Sequence, residues 1–270
     1  MTFKTANEIR LSTWKLPVAF LSGLLLGGVA GLIGVGGGEF RIPILIYALK
    51  LPLLTMIPVN LLVGLLTVSV SFARRFQLGL WNSDYLDISI TMSIASIIGA
   101  YFGATLTEKI PRKPIKMLLA IILIAVGLKI MFEPLLQLPA TLSLTLGFFE
   151  EFSLALFSGF IIGIISGMFG VAGGEFRIPI LIYVFGLNVT SAGTVSLFVS
   201  IPAIASGLVK HHNMNHMNRN AVAIAITMGL GSILGALMGA TCVKNIEENL
   251  LKIVLGAILV LATIRMIIKH

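Results

Sequence analysis

Eight apolar stretches dominate the chain: about Leu16–Gly34, Thr55–Ala73, Tyr85–Leu106, Ile115–Phe132, Phe148–Gly170, Thr190–Val209, Ala221–Val243 and Leu250–Ile268. Each meets or approaches the roughly 20 residues that a helix needs to cross a hydrocarbon core of about 30 Å. Backbone polar groups in hydrocarbon must be paired within the segment, so such runs fold as membrane helices. Composition agrees, since 57% of the residues are hydrophobic and 11% charged, with a mean hydropathy of +1.03. A soluble domain carries about 25% charged residues. These figures exclude disorder, a collagen-like chain and a disulfide-stapled secreted fold. The single cysteine, Cys242, cannot form an internal disulfide. The net charge of +8 is no nucleic-acid footprint, because the charges lie between apolar runs and no aromatic residues interleave with them for base stacking.

The chain also repeats itself. At an offset of 136, Ser22–Ile130 aligns with Ser158–Met266 without a gap, and Gly34–Tyr47 matches Gly170–Tyr183 at 13 of 14 positions. The first apolar run follows Lys4, Arg10 and Lys15 and alone resembles a cleavable signal peptide. Its glycines at 23, 27 and 31 recur at 159, 163 and 167, so it is a copy of an internal helix and is expected to stay as a span. Those glycines, like Gly99 and Gly103 with their counterparts Gly235 and Gly239, fall on one helix face, where small residues let membrane helices touch backbone to backbone.

No Lys or Arg lies between Lys129 and Arg177, whereas Glu133, Glu150 and Glu151 do. The positive-inside rule makes that linker external and the amino terminus cytoplasmic. An odd number of crossings must separate them, so the short piece Phe40–Leu51 is expected to add a fifth crossing within a broken helix. The predicted fold is an all-α polytopic membrane protein of two homologous, inverted halves, each with about four long spans plus a short broken-helix segment. The halves are residues 1–130 and 158–270, joined by an external linker, 131–157. If Phe40–Leu51 only re-enters the membrane, the halves are parallel instead.

Nearly all charges lie in termini, connections or last turns. Glu39, Arg41, Glu175 and Arg177 are the exceptions, at equivalent places in the repeats. An ionisable group at membrane depth costs roughly 3 kcal/mol even on a lenient scale and usually faces a cavity or partner. Gly36, Gly37 and Gly38, with Gly173 and Gly174 in the second copy, should break the helix and expose amides that bind anions. Arginine holds an oxyanion through two parallel hydrogen bonds, so Arg41 and Arg177 are candidate clamps. Glu39 and Glu175 would neutralise them or exchange protons. Each Glu is expected to meet the Arg of the other repeat or to point elsewhere, since residues two apart on a helix do not face each other. Permanent Glu–Arg ion pairs are the structural alternative. Asn60, its counterpart Ser196, and the unmatched Thr194 and Ser200 could line the same cavity or tie helices together.

These residues resemble the sulfite exporter TauE/SafE family of membrane transporters. The resemblance rests on the duplicated glycine-rich stretch followed by proline and an apolar run, Gly34–Leu45 and Gly170–Leu181, and on Ala192-Gly-Thr-Val-Ser-Leu197 with Ser206-Gly-Leu-Val-Lys210. It covers nearly the whole chain and implies transport of sulfite, sulfonates or related anions across the cytoplasmic membrane. Ala172 replaces Gly36 in the second copy, and Ile57-Pro-Val-Asn60 stands where the second half has Gly193-Thr-Val-Ser196. Glu and Arg occupy places that are commonly apolar in the family, which bears on the choice of anion.

His211-His-Asn-Met-Asn-His216-Met gathers three histidines in what is expected to be a cytoplasmic loop, either a solvated turn or a soft-metal site. A cation or metal transporter using this loop and the Glu pair is the alternative function. No histidine or deep Asp sits within a span to serve a hydrolase. The expected partners are a small inorganic or organosulfur anion, the lipid bilayer and protons, with a homodimer possible, no nucleic acid and no cofactor or metal.

Overall fold

A computed structural model describes residues 14–107, 112–136, 147–214 and 219–268, which fold as helices and short connections. The α-helices are α1 (Lys15–Ile33), α2 (Gly38–Pro43), α3 (Leu53–Gln77), α4 (Leu86–Leu106), α5 (Arg112–Leu136), α6 (Phe148–Phe169), α7 (Gly174–Tyr183), α8 (Val189–Asn213), α9 (Arg219–Cys242) and α10 (Glu248–Ile268). A π-helical turn, Ile44–Ala48, extends α2. Among the described residues, seven helices are long and apolar enough to cross a membrane, including α1. The seven do not include α10, which covers the eighth apolar stretch with 21 helical residues. The middle of the linker, 137–146, lies outside the described residues.

Element boundaries follow the repeat. Helices α3 and α8 start at Leu53 and Val189 and end at Gln77 and Asn213, each pair one repeat apart. These counterparts pack against each other in opposite directions. Leu61 meets Gly207 and Gly64 meets Ile204, Phe72 meets Phe198, and Arg75 meets Thr194. Helices α5 and α10 also run antiparallel, with Gly127 against Leu259, Met131 against Gly256 and Glu133 bonded to Lys252. Parallel halves would set each counterpart pair in one direction, so this is the relation that inverted halves produce.

The first helix of each half packs on the fourth helix of the other. Gly23, Gly27 and Gly31 of α1 lie against Met228, Ser232 and Ala236 of α9, and Gly159, Gly163 and Gly167 of α6 lie against Met92, Ser96 and Ala100 of α4. A methyl group added at any of these six glycines would stand 2.0–2.7 Å from a backbone oxygen. Glycines 235 and 239 press equally close on Leu24 and Gly28. Without a hydrophobic drive between helices in lipid, such contact supplies the attraction. Polar groups are turned inward, including Arg41, Arg75, Arg177, Glu175, Asn60 and Thr67, while Leu25, Ile94, Leu118, Phe157 and Met238 are exposed on the outside.

The stripes give a first test. Gly27→Ala and Gly163→Ala should each lose at least about 1–3 kcal/mol of stability through overpacking. Gly28→Ala should be tolerated, because the nearest atom to its added methyl is 3.7 Å away. Thermal unfolding of the purified variants in detergent checks the difference.

Candidate functional site

Both broken helices are made by glycine. Helix α1 stops at Gly34, whose left-handed backbone (φ 91°) sends its N–H to Ala30 O. Gly36 and Gly37 are also left-handed, and α2 restarts at Gly38. In the second half Gly170 ends α6, and left-handed Gly173 precedes α7. Gly37 lies beside Leu26 and Ala30, so the chain has doubled back along α1. The two breaks touch each other: a methyl on Gly36 would lie 2.5 Å from the Ala172 methyl, Gly38 meets Val171, and Gly174 meets the Val35 carbonyl.

A break in a helix frees backbone carbonyls that water cannot reach. Side chains from neighbouring helices meet them. Arg41 Nη2 donates to Gly36 O at 2.8 Å. Asn60 Nδ2 donates to Gly38 O at 3.1 Å and, across the repeats, to Gly170 O at 2.7 Å. Ser166 donates to Val171 O at 2.6 Å, and Ser200 shares its hydroxyl proton between Ser196 O at 2.7 Å and Ala172 O at 3.1 Å. Asn60 and Ser200 therefore sit at the breaks. Asn60 is held in a closed network of helix-to-helix bonds.

The charged residues of the motif do not pair as ions. Arg41 bonds only neutral groups: Nε to Asn60 Oδ1 at 2.9 Å, Nη1 to Thr67 Oγ1 at 3.1 Å, and Nη2 to Gly36 O. Arg177 donates from Nη1 to Ser196 O at 3.1 Å and to Ser200 Oγ at 2.7 Å. Neither arginine bonds a Glu directly, although Glu39 lies in the field of Arg41 and Glu175 in that of Arg177. Glu39 and Glu175 instead adjoin each other, and no Arg, Lys, Ser, Thr or Asn side chain among the described residues donates to their carboxyl oxygens.

Thr194 is placed elsewhere. Its hydroxyl donates to Thr190 O at 2.8 Å and accepts from Arg75 Nη1 at 3.1 Å near the end of α3. Arg75 is fully buried, and the sequence alone does not mark it. It gathers the carbonyls of Gly31, Leu32 and Thr190, closing the last turn of α1 against the start of α8. His211, one repeat later, does the equivalent work at α6. It is buried within α8, with Nε2 3.2 Å from Gly167 O. The expected solvated histidine loop is corrected for His211: both His211 and His212 belong to the helix, and His212 is exposed on it. His216 lies outside the described residues, and among those described no cluster of three or more His, Cys, Asp or Glu could hold a metal. Thr67 was also missed. It links Arg41 to Ser232 of α9 at 2.6 Å. The available signal for Thr67 and Arg75 was helical spacing from Asn60 along α3.

A bundle of apolar helices, interrupted at its centre by two touching breaks with buried ionisable groups, is the architecture of a multi-pass membrane transporter. The family model described as sulfite exporter TauE/SafE matches residues 2–130 and 154–270. The chain belongs to that family. It is 27% identical over 240 residues to the probable membrane transporter protein YdhB of Bacillus subtilis (84% of this chain, 90% of that protein). It is 26% identical to probable membrane transporter protein ORF9 of a Sinorhizobium species (93% and 92% covered). It is 27% identical to probable membrane transporter protein MJ0441 of Methanocaldococcus jannaschii (90% and 92% covered). No solved structure matches the chain.

Asn60→Ala should be among the most damaging single changes. It strips Arg41 Nε of its acceptor and two break carbonyls of their donor, and each buried group left unpaired costs about 1–3 kcal/mol. A marked drop in the melting temperature and in the yield of monodisperse protein is the expected reading.

Proposed function

We propose that the chain moves a small sulfur-containing oxyanion, such as sulfite or a sulfonate, across the cytoplasmic membrane, with proton movement coupled to it. The observation that carries this reading is the meeting of the two breaks, where buried Arg177 keeps two nitrogens without an acceptor and the Glu39 and Glu175 carboxyls adjoin each other. The family name supplies the sulfur oxyanion as the substrate class. In this reading Arg177 supplies the positive charge that meets the anion, Arg41 holds the first break in shape, and the amides at Gly36–Gly38 and Gly173–Gly174 contribute donors. Two neighbouring carboxyl groups repel unless a proton or a cation lies between them. Proton binding and release at that pair changes the charge that the substrate meets. Rocking of one half against the other exposes the breaks alternately to each side.

The same Glu pair favours a second reading as a cation carrier, since no Arg, Lys, Ser, Thr or Asn side chain among the described residues donates to its oxygens. Flux in liposomes separates the two. Protein reconstituted with sulfite, methanesulfonate, sulfate or phosphate inside should release the sulfur anions and shift internal pH as it does so. Release should lose its dependence on a pH gradient in Glu39→Gln and Glu175→Gln. Cation flux without anion flux would replace the first reading with the second.

A further inference from the structure

The repeat is nearly symmetric around the breaks, but its two arginines are not equivalent. Every nitrogen of the Arg41 guanidinium has a protein acceptor. Arg177, equally buried, makes both of its hydrogen bonds through Nη1 and leaves Nε and Nη2 without an acceptor among the described residues. Those two nitrogens form one edge of the guanidinium, and that edge donates two parallel hydrogen bonds to an oxyanion.

Three differences between the halves create the open edge. Asn60 reaches Arg41 Nε with its amide oxygen, while its counterpart Ser196 is too short to do so, and Ser196 Oγ is itself unpartnered. Gly36 O is taken by Arg41 Nη2, whereas the corresponding Ala172 O shares the Ser200 hydroxyl proton with Ser196 O, and Ser200 stands where the first half has Gly64. Ser200 also accepts from Arg177 Nη1, in place of Thr67, whose own counterpart is Ala203. One arginine is thus closed by its neighbours, and the other is held from one side only.

Resting on the transport reading above, we infer that the protein has one oxyanion seat rather than two, built by the Nε–Nη2 edge of Arg177 with Ser196 Oγ beside it. Arg41 is a positioning residue that holds the first break in shape and touches no substrate. A buried charge with two empty donors is costly when left so, and a tetrahedral or pyramidal oxyanion supplies acceptors at the spacing of that edge. The expected ligands are sulfite and sulfonates, which present two oxygens together while their third face stays free.

The test measures binding of sulfite and methanesulfonate to purified protein in detergent by calorimetry, with flux in liposomes alongside. Arg177→Gln should weaken binding at least about a hundredfold. The repeat-swapped variant Ser196→Asn, Ser200→Gly, Ala203→Thr should close the edge and lose binding while keeping its charge and monodisperse profile. Arg41→Gln should melt at a lower temperature, yet bind within about threefold of the original affinity below that temperature. Unchanged affinity in Arg177→Gln or in the swapped variant, or loss of binding in still-folded Arg41→Gln, would overturn the single seat. The transport reading fails separately. If only non-sulfur oxyanions bind and move, yet depend on Arg177, the seat stands and the substrate assignment falls. If sulfite moves but ignores Arg177, the reverse holds.

Discussion

Interrupting a helix inside hydrocarbon leaves carbonyl groups that no water can reach, and the centre of this protein is organised around satisfying them. The glycines at 34, 36, 37, 170 and 173 take left-handed conformations that end one helix before the next begins. Asn60, Arg41, Ser166 and Ser200 then cross from one element to another to donate to the carbonyls so exposed. Because Asn60 bonds to both Gly38 and Gly170, the two breaks are tied together as well as individually closed. Their mutual contact at Gly36 and Ala172 follows from that tie and from the antiparallel packing of α3 on α8.

Much of this was readable beforehand, because its causes are local or duplicated. Apolar length gives the spans, the offset gives the pairing of elements, and charge asymmetry gives the orientation of one half relative to the other. The four-residue spacing of small residues marks the faces that meet. The partners of the buried charges were not readable. The sequence sends each Glu to the arginine of the other repeat or elsewhere, and leaves open which; the Arg41 guanidinium points to neutral acceptors on α3 and Glu39 adjoins Glu175. Arg75 follows Arg74 at the end of an apolar run, where basic residues usually signal the membrane surface, so its burial leaves no trace in composition. His211 opens a run of polar residues and is disguised in the same way. In both cases the deciding fact is a carbonyl supplied by another helix, Gly31 or Gly167, far away in the chain.

Duplication accounts for the scaffold, and departures from it account for the chemistry. The stretches that match best, Gly34–Tyr47 and Gly170–Tyr183, each provide a glycine break followed by a helix, although Gly36 is left-handed where Ala172 is not and a π-helical turn follows α2 alone. The side chains around each arginine come from α3 and α8, where the copies diverge. Replacing Asn60, Gly64 and Thr67 by Ser196, Ser200 and Ala203 keeps the number of polar groups similar but redistributes their bonds. One half gains rigidity from a fully bonded guanidinium, and the other keeps unspent donors.

The exchange of helices between halves also bears on how the chain is made. Helix α1 finds its close-packed face on α9, and α4 finds its own on α6. The first span therefore leaves the ribosome long before the surface it fits has been synthesised, and must wait in lipid with its glycine stripe uncovered. Assembly of these two seams is non-local and late, the circumstance in which folding is slowest and mispairing most damaging. Neither half holds a complete set of its own contacts, so a chain interrupted after α5 would present two unfilled grooves instead of a smaller stable protein.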